Sequence, residues 1–118
     1  MEPSSTDLQS FKADFFKALA HPIRIRILEL LRSRDRSVQE LQALLDLDQS
    51  TVSQQLAVLR AKNIVTARKE GTTGRYVMRD ALVADLLDVA RRIFNNQLTG
   101  TQTMLRQLRQ EARRPARR

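Results

Sequence analysis

Residues Ser37 to Lys62, SVQELQALLDLDQSTVSQQLAVLRAK, constrain this chain more than any other stretch, because they read as two short helices around a tight polar turn. Ser37 and Glu40 have the spacing of a capping box, which starts the first of these helices where Val38, Leu41 and Leu44 can pack inward. Asp46-Leu47-Asp48 is the turn. Leu47 plugs the angle between the helices, and Asp48 caps the second one, leaving amides near Gln49 to Thr51 free to meet a phosphate. Asn63, tolerant of a left-handed backbone, ends it. That second helix is apolar on one side only. Val52, Leu56 and Leu59 recur at helical spacing, whereas Gln49, Ser50, Ser53, Gln54 and Ala57 fall on the other side. A free face that is short, neutral and rich in hydrogen-bonding groups suits a DNA major groove, where base edges present donors and acceptors.

The rest of the chain frames this pair. Residues 1–6 read as frayed, and Asp7 can cap a helix from about Leu8 to Ala20 whose apolar stripe is Phe11, Phe15, Phe16 and Leu19. His21-Pro22 interrupts it and opens another helix, with Ile23, Ile27, Leu30 and Leu31 inward and Arg24, Arg32 and Arg34 outward. After Asn63 the period changes. Residues 64–69 and 75–78 are strand-like, joined by a hairpin tip at Glu70-Gly71-Thr72-Thr73-Gly74. Asp80 then caps a long helix carrying Leu82, Val83, Leu86, Leu87, Ala90, Ile93 and Phe94, which Gly100 can kink or split before Met104, Leu105 and Leu108 resume the pattern. Residues 109–118 form an arginine-dominated tail, expected to be disordered, so a single domain spans 7–108.

Composition narrows the chemistry. The 118 residues suffice for one domain with a modest core. The net charge of +8 implies an acidic partner, nucleic acid or an anionic surface. No run reaches membrane-spanning length and no apolar leader follows the acidic, Ser-rich start, so a soluble cytoplasmic protein is expected. The absence of cysteine removes disulfides and thiolate metal sites, and the lone His21 reads as structural. No Ser/Cys-His-acid set, phosphate-cradling loop or carboxylate pair can be assembled, so enzymatic activity is not expected.

Mainly α with a small two-stranded hairpin, in the order α-α-α-α-β-β-α, this is a winged helix-turn-helix. FFKALAHPIRIRILELL, then DQSTVSQQLAVLRAKNIV, then RKEGTTGRYVMRD together resemble the ArsR/SmtB family of bacterial and archaeal repressors, over roughly residues 11–95 in the family's order. The resemblance implies a prokaryotic, nucleoid-associated homodimer joined by the first and last helices, repressing transcription from a near-palindromic DNA operator. Phe11, Phe15, Phe16, Leu82, Leu86, Leu87, Ala90, Ile93 and Phe94 are its candidate interface, more apolar surface than one small core needs. The family's Cys-x-Cys metal positions correspond to Ser37 and Gln39. Those of its last-helix site correspond to Asp80, Leu82, Ile93 and Asn96, which leaves no ligand set and no expected cofactor. A small organic inducer and a protein effector both stay open.

Candidate DNA contacts divide by chemistry. Gln49, Ser50, Ser53 and Gln54 are candidates for base edges, with Thr51 beside them and Ser37 at the preceding helix start. Arg36 and Arg60 either grip phosphates or are simply solvated. Arg68, Lys69 and Arg75 flank the wing tip and can reach an adjacent minor groove or backbone, Arg75 being nearest the tip. Two alternatives remain at this stage: a sequence-tolerant architectural DNA protein driven by the basic tail, and a winged-helix module for protein association.

Overall fold

The computed structural model describes residues 5–113. In chain order the elements are α1 (Ser5–Leu19), α2 (Pro22–Ser33), β1 (Arg36–Ser37), α3 (Val38–Leu45), α4 (Gln49–Ala61), β2 (Val65–Glu70), β3 (Thr73–Met78) and α5 (Leu82–Arg113). The chain divides after Ala84 into two units, the second being the remainder of α5.

Local chemistry sets the element ends in the first unit. α1 begins at Ser5, earlier than expected, so Asp7 lies in its first turn. An acidic residue there favours the helix N-terminus through the backbone dipole. His21 caps α2, its Nδ1 accepting the Ile23 amide at 3.1 Å, with Pro22 in the first turn. The capping box at α3 is complete: the Glu40 amide donates to Ser37 Oγ at 3.1 Å and the Ser37 amide to Glu40 Oε1 at 3.0 Å. Asp46, at φ 56°, turns the chain out of α3. Asn63, at φ 59°, closes α4 in a Schellman arrangement, with the Asn63 amide on the Arg60 carbonyl and the Ile64 amide on that of Leu59, both at 3.0 Å.

The core collects Ile27, Leu28 and Leu31 from α2, Leu41 from α3, Val52, Leu56 and Leu59 from α4, and Ile64 and Val65 leading into the wing, with Ala18 and Val83 at its margins. Each fully buried large aliphatic side chain contributes about 1.5–3 kcal/mol against exposure. Leu44, expected to pack, is 47% exposed. The inward arc of α3 runs through Val38, Leu41 and Leu45, and at 100° per residue Leu44 falls off its edge.

The hairpin carries a third strand that periodicity does not reveal. β1 pairs antiparallel with β3 (Arg36 opposite Tyr76, Ser37 opposite Arg75), giving the sheet order β1-β3-β2. β2 and β3 pair from Val65–Met78 out to Glu70–Thr73. The turn is therefore only Gly71-Thr72, tighter than the five-residue tip expected. Gly71 alone has positive φ, +64°, the pattern of a II′ turn, which matches the twist of paired strands.

The second unit, α5 from Asp85 onward, is helical without a break through Gly100 and on to Arg113, so residues 109–113 of the expected tail are helical. Residues 114–118 and 1–4 lie outside those described, whereas Ser5 and Thr6, read as frayed, belong to α1. Among the described residues no helix is long and apolar enough to cross a membrane.

Candidate nucleic-acid interface

α4 divides cleanly between its two faces. Val52, Leu56 and Leu59 are buried, while Gln49, Ser50, Ser53, Gln54 and Ala57 are exposed. At 1.5 Å per residue, 49 to 57 spans about 12 Å, matching the width of a B-DNA major groove. The helix start is held by Asp48, whose Oδ1 accepts the Thr51 amide at 2.7 Å. Thr51 is half-buried with its amide engaged, so the backbone donors left for an anion are those of Gln49 and Ser50.

The expected basic contacts separate into engaged and available. Ser37, a candidate DNA contact, is 4% exposed, and its hydroxyl serves the α3 cap. Arg36 folds back onto α2, donating from Nε to the Leu30 carbonyl at 3.3 Å and from Nη2 to Ser33 Oγ at 3.0 Å. Arg75 is not a free wing-tip cation. With a side chain only 20% exposed, it donates to the Asp35 carbonyl at 3.0 Å and pairs with Glu40 at 3.0 Å and Glu70 at 3.6 Å. Arg68, whose side chain is 60% exposed, is paired with Asp35. Lys69 and Arg60 are exposed and form no ion pair among the described residues. Arg24, expected on the free face of α2, is also engaged, by α1 and α4.

Sequence counting missed the acids that do this. Asp35 and Glu40 reach the wing arginines because β1 sits beside β3, bringing residues about 40 positions apart together, and Glu70 reaches Arg75 across the β2–β3 hairpin. Arg75 therefore belongs to the joint between wing and α3. Arg75→Ala is expected to lower the melting temperature while leaving the slope of log binding constant against log salt unchanged. A flattened slope would restore a phosphate contact to Arg75.

Two carboxylates are held ionised by helix starts. The Ser37 backbone amide keeps Glu40 below its usual range, helped by the Ser37 hydroxyl and by Arg75 and Arg34. The Thr51 side chain and amide do the same for Asp48. A carboxylate depressed in the folded state stabilises above its unfolded pKa, and this is lost as pH falls through its folded value. Acidification from neutral pH should therefore lower the melting temperature of the parent more than that of Glu40→Gln/Asp48→Asn. Circular dichroism melts across pH measure this, and equal slopes for both proteins would refute it.

Each unit carries exposed apolar surface. In the first, Phe11 (73% exposed), Phe16 and Leu82 are open, and Phe15 meets Phe16 edge-on with ring centroids 5.5 Å apart. In the second, Leu86, Leu87 and Ala90 are half-buried, and Ile93, Phe94, Leu98, Met104, Leu105 and Leu108 are exposed. Among the described residues no three His, Asp or Glu side chains form a group able to hold a metal ion.

A helix-turn-helix followed by a hairpin wing, with a polar outward row on its second helix, defines a winged helix-turn-helix DNA-binding protein. Residues 21–67 match the model of the bacterial regulatory protein, arsR family. The HTH-type transcriptional regulator Rv0081 of Mycobacterium tuberculosis is 47% identical over 106 residues, covering 89% of this chain and 93% of that protein. The crystal structure of Rv0081 superposes with a TM-score of 0.75, covering 86% of this chain and 98% of that one. The biofilm growth-associated repressor of Agrobacterium fabrum is 38% identical over 94 residues, 80% of this chain and 77% of its own. The homodimeric winged helix-turn-helix DNA-binding domain Mb0332 of Mycobacterium bovis is 28% identical, with a TM-score of 0.75 over 83% of this chain and 91% of its own. The chain belongs to the ArsR family and is a DNA-binding transcriptional regulator, not an enzyme. These relatives do not favour the architectural or protein-association alternatives.

Proposed function

We propose that this regulator is a cytoplasmic, nucleoid-associated dimeric repressor that places α4 of each copy in successive major grooves of a near-palindromic operator, about 34–36 Å apart. The observation that carries the reading is the exposed row Gln49, Ser50, Ser53 and Gln54, backed by fully buried Val52, Leu56 and Leu59. Glutamine can pair with an adenine edge through two hydrogen bonds, and serine serves bases or phosphates. The amides of Gln49 and Ser50, with Arg60 and Lys69, would grip the backbone; Arg68 joins them where a phosphate displaces Asp35. A second copy would cover Phe11, Phe16 and Leu82 and the α5 row through Ile93 and Phe94. Repression is supported by the name of the Agrobacterium relative, and dimerisation by the homodimeric Mycobacterium bovis domain.

The test begins with duplexes enriched by the protein from a random-sequence pool, followed by a reporter placed behind the enriched site. The reading requires enrichment of an inverted repeat and a fall in reporter transcription when the protein is added. Equal affinity for a base-scrambled duplex at physiological salt overturns sequence specificity, and increased transcription overturns repression. Gln54→Ala should relax discrimination at one base step of each half-site by about 1–3 kcal/mol while leaving the scrambled duplex bound as before.

A further inference from the structure

Arg24 makes three hydrogen bonds within the first unit, and the proposed DNA interface does not use it. Its Nε donates to the Ala18 carbonyl at 2.6 Å and its Nη2 to the Lys17 carbonyl at 3.2 Å. Both carbonyls lie in the last turn of α1, beyond the reach of its i to i−4 ladder; that of Lys17 also receives the Ala20 amide at 3.1 Å. The third donor, Nη1, reaches across to the Gln55 side chain on α4, with Oε1 at 2.8 Å. One planar guanidinium on α2 therefore spans the end of one helix and the middle of another. Lysine, with a single ammonium on a flexible stem, cannot reproduce that fork. Gln55 is half-buried and directly follows Gln54 in the row assigned to the groove.

We propose that Arg24 is a positioning residue for DNA recognition, holding Gln55, and with it α4, against the C-terminal end of α1. This rests on the reading of α4 as the groove-facing helix. Two physical points support it. A hydrogen bond from a charged donor is stronger than a neutral one, so the Arg24–Gln55 link resists displacement more than an ordinary surface contact. α1 also carries Phe11 and Phe16, the open aromatic residues that the dimer reading assigns to the second copy. The pose of Ser50, Ser53 and Gln54 is thereby referred to the helix that pairs the subunits, and displacement of α1 shifts the groove contacts without touching DNA.

The discriminating variant is Gln55→Leu, which removes the acceptor on α4 while leaving both α1 carbonyl bonds in place. Arg24→Lys keeps the charge but loses the fork. Binding is measured well below each melting temperature, on the duplex enriched by the parent protein and on its base-scrambled counterpart. Each single variant is expected to weaken binding to the enriched duplex about tenfold, with the scrambled duplex unaffected. The double variant should weaken it no further than the worse single, because both changes break one link. If Arg24 only caps α1, Gln55→Leu binds like the parent; that result, or additive losses, overturns the proposal. A pool yielding no enriched duplex overturns both this proposal and the groove reading. Gln54→Ala with parental discrimination overturns the groove contact alone.

Discussion

Phe94→Glu is expected to leave a folded monomer at concentrations where the parent sediments as a dimer, and to weaken operator binding by about 10²–10⁴-fold. The size follows from geometry rather than from any lost DNA contact. Two half-sites on one duplex make the second binding event intramolecular when the copies are joined, and independent when they are not. Phe94 is 59% exposed, in a stretch from Arg91 to Glu111 where every residue of α5 is exposed. Isolated helices in water are marginal, and this one contains an interior Gly100 that costs about 1 kcal/mol relative to alanine. Its exposed apolar residues fall in two groups, Ile93, Phe94 and Leu98, then Met104, Leu105 and Leu108, each spaced by three or four residues along one side, which suits burial against a partner helix. A carboxylate at position 94 would have to be desolvated in that contact. Sedimentation equilibrium reads the outcome directly. A folded dimer of unchanged affinity would remove Phe94 from the interface, and a variant that fails to fold is separated from a monomer by its circular dichroism. Ile93→Glu then provides the same test one residue along.

The parts of this molecule legible in the sequence are those fixed by contacts a few residues apart. The Ser37–Glu40 box and the Asp48 cap each depend on a side chain bonding to backbone within its own turn, and the closure at Asn63 on a residue type that tolerates positive φ; each appears where the residue types put it. The two-faced pattern of α4 is legible for the same reason, since helical spacing alone sorts Val52, Leu56 and Leu59 from Gln49, Ser53 and Gln54. What escapes is set by long-range register. A strand of two residues, Arg36-Ser37, has no period to read, yet its pairing with β3 decides the fate of the wing cations. Arg75 looked like the residue nearest the tip and is instead the centre of an ion cluster with Glu40 and Glu70. Composition gives the number of positive charges, and only topology gives their partners.

That distinction also changes how the net charge of +8 should be understood. Arg24, Arg36 and Arg75 spend their guanidinium groups on carbonyls, a hydroxyl, an amide and carboxylates inside the subunit. They still contribute to the long-range field that would draw DNA in, while their guanidinium groups are engaged within the subunit. On the proposed reading, short-range grip among the described residues falls to fewer groups: two backbone amides, Arg60, Lys69 and an Arg68 shared with Asp35. A salt dependence shallower than the cation count suggests is the consequence, since the slope tracks the phosphates neutralised rather than the total charge.

Leu59→Ala should cost about 2–5 kcal/mol of folding free energy, a large part of the 5–15 kcal/mol typical of a domain. Leu59 is fully buried, and its carbonyl receives the Ile64 amide that closes α4 and launches the chain into the wing. Removing the side chain opens a cavity in a core that also buries Leu56 of α4 and Ile64 at the start of the wing, so the recognition helix and the wing are expected to loosen together. Val58, its neighbour on α4, is 37% exposed, and Val58→Ala should stay within about 1 kcal/mol of the parent. The groove-facing side chains are untouched by either change. Leu59→Ala should therefore discriminate between the enriched and scrambled duplexes normally when cold, and lose binding on warming in step with unfolding. Denaturant melts give the stability, and binding measured at low and high temperature gives the rest. A loss below about 1 kcal/mol would show that the core re-forms around the cavity. Weakened discrimination in the cold, fully folded variant would show instead that the backing of α4 sets the pose of its polar face, as well as its stability.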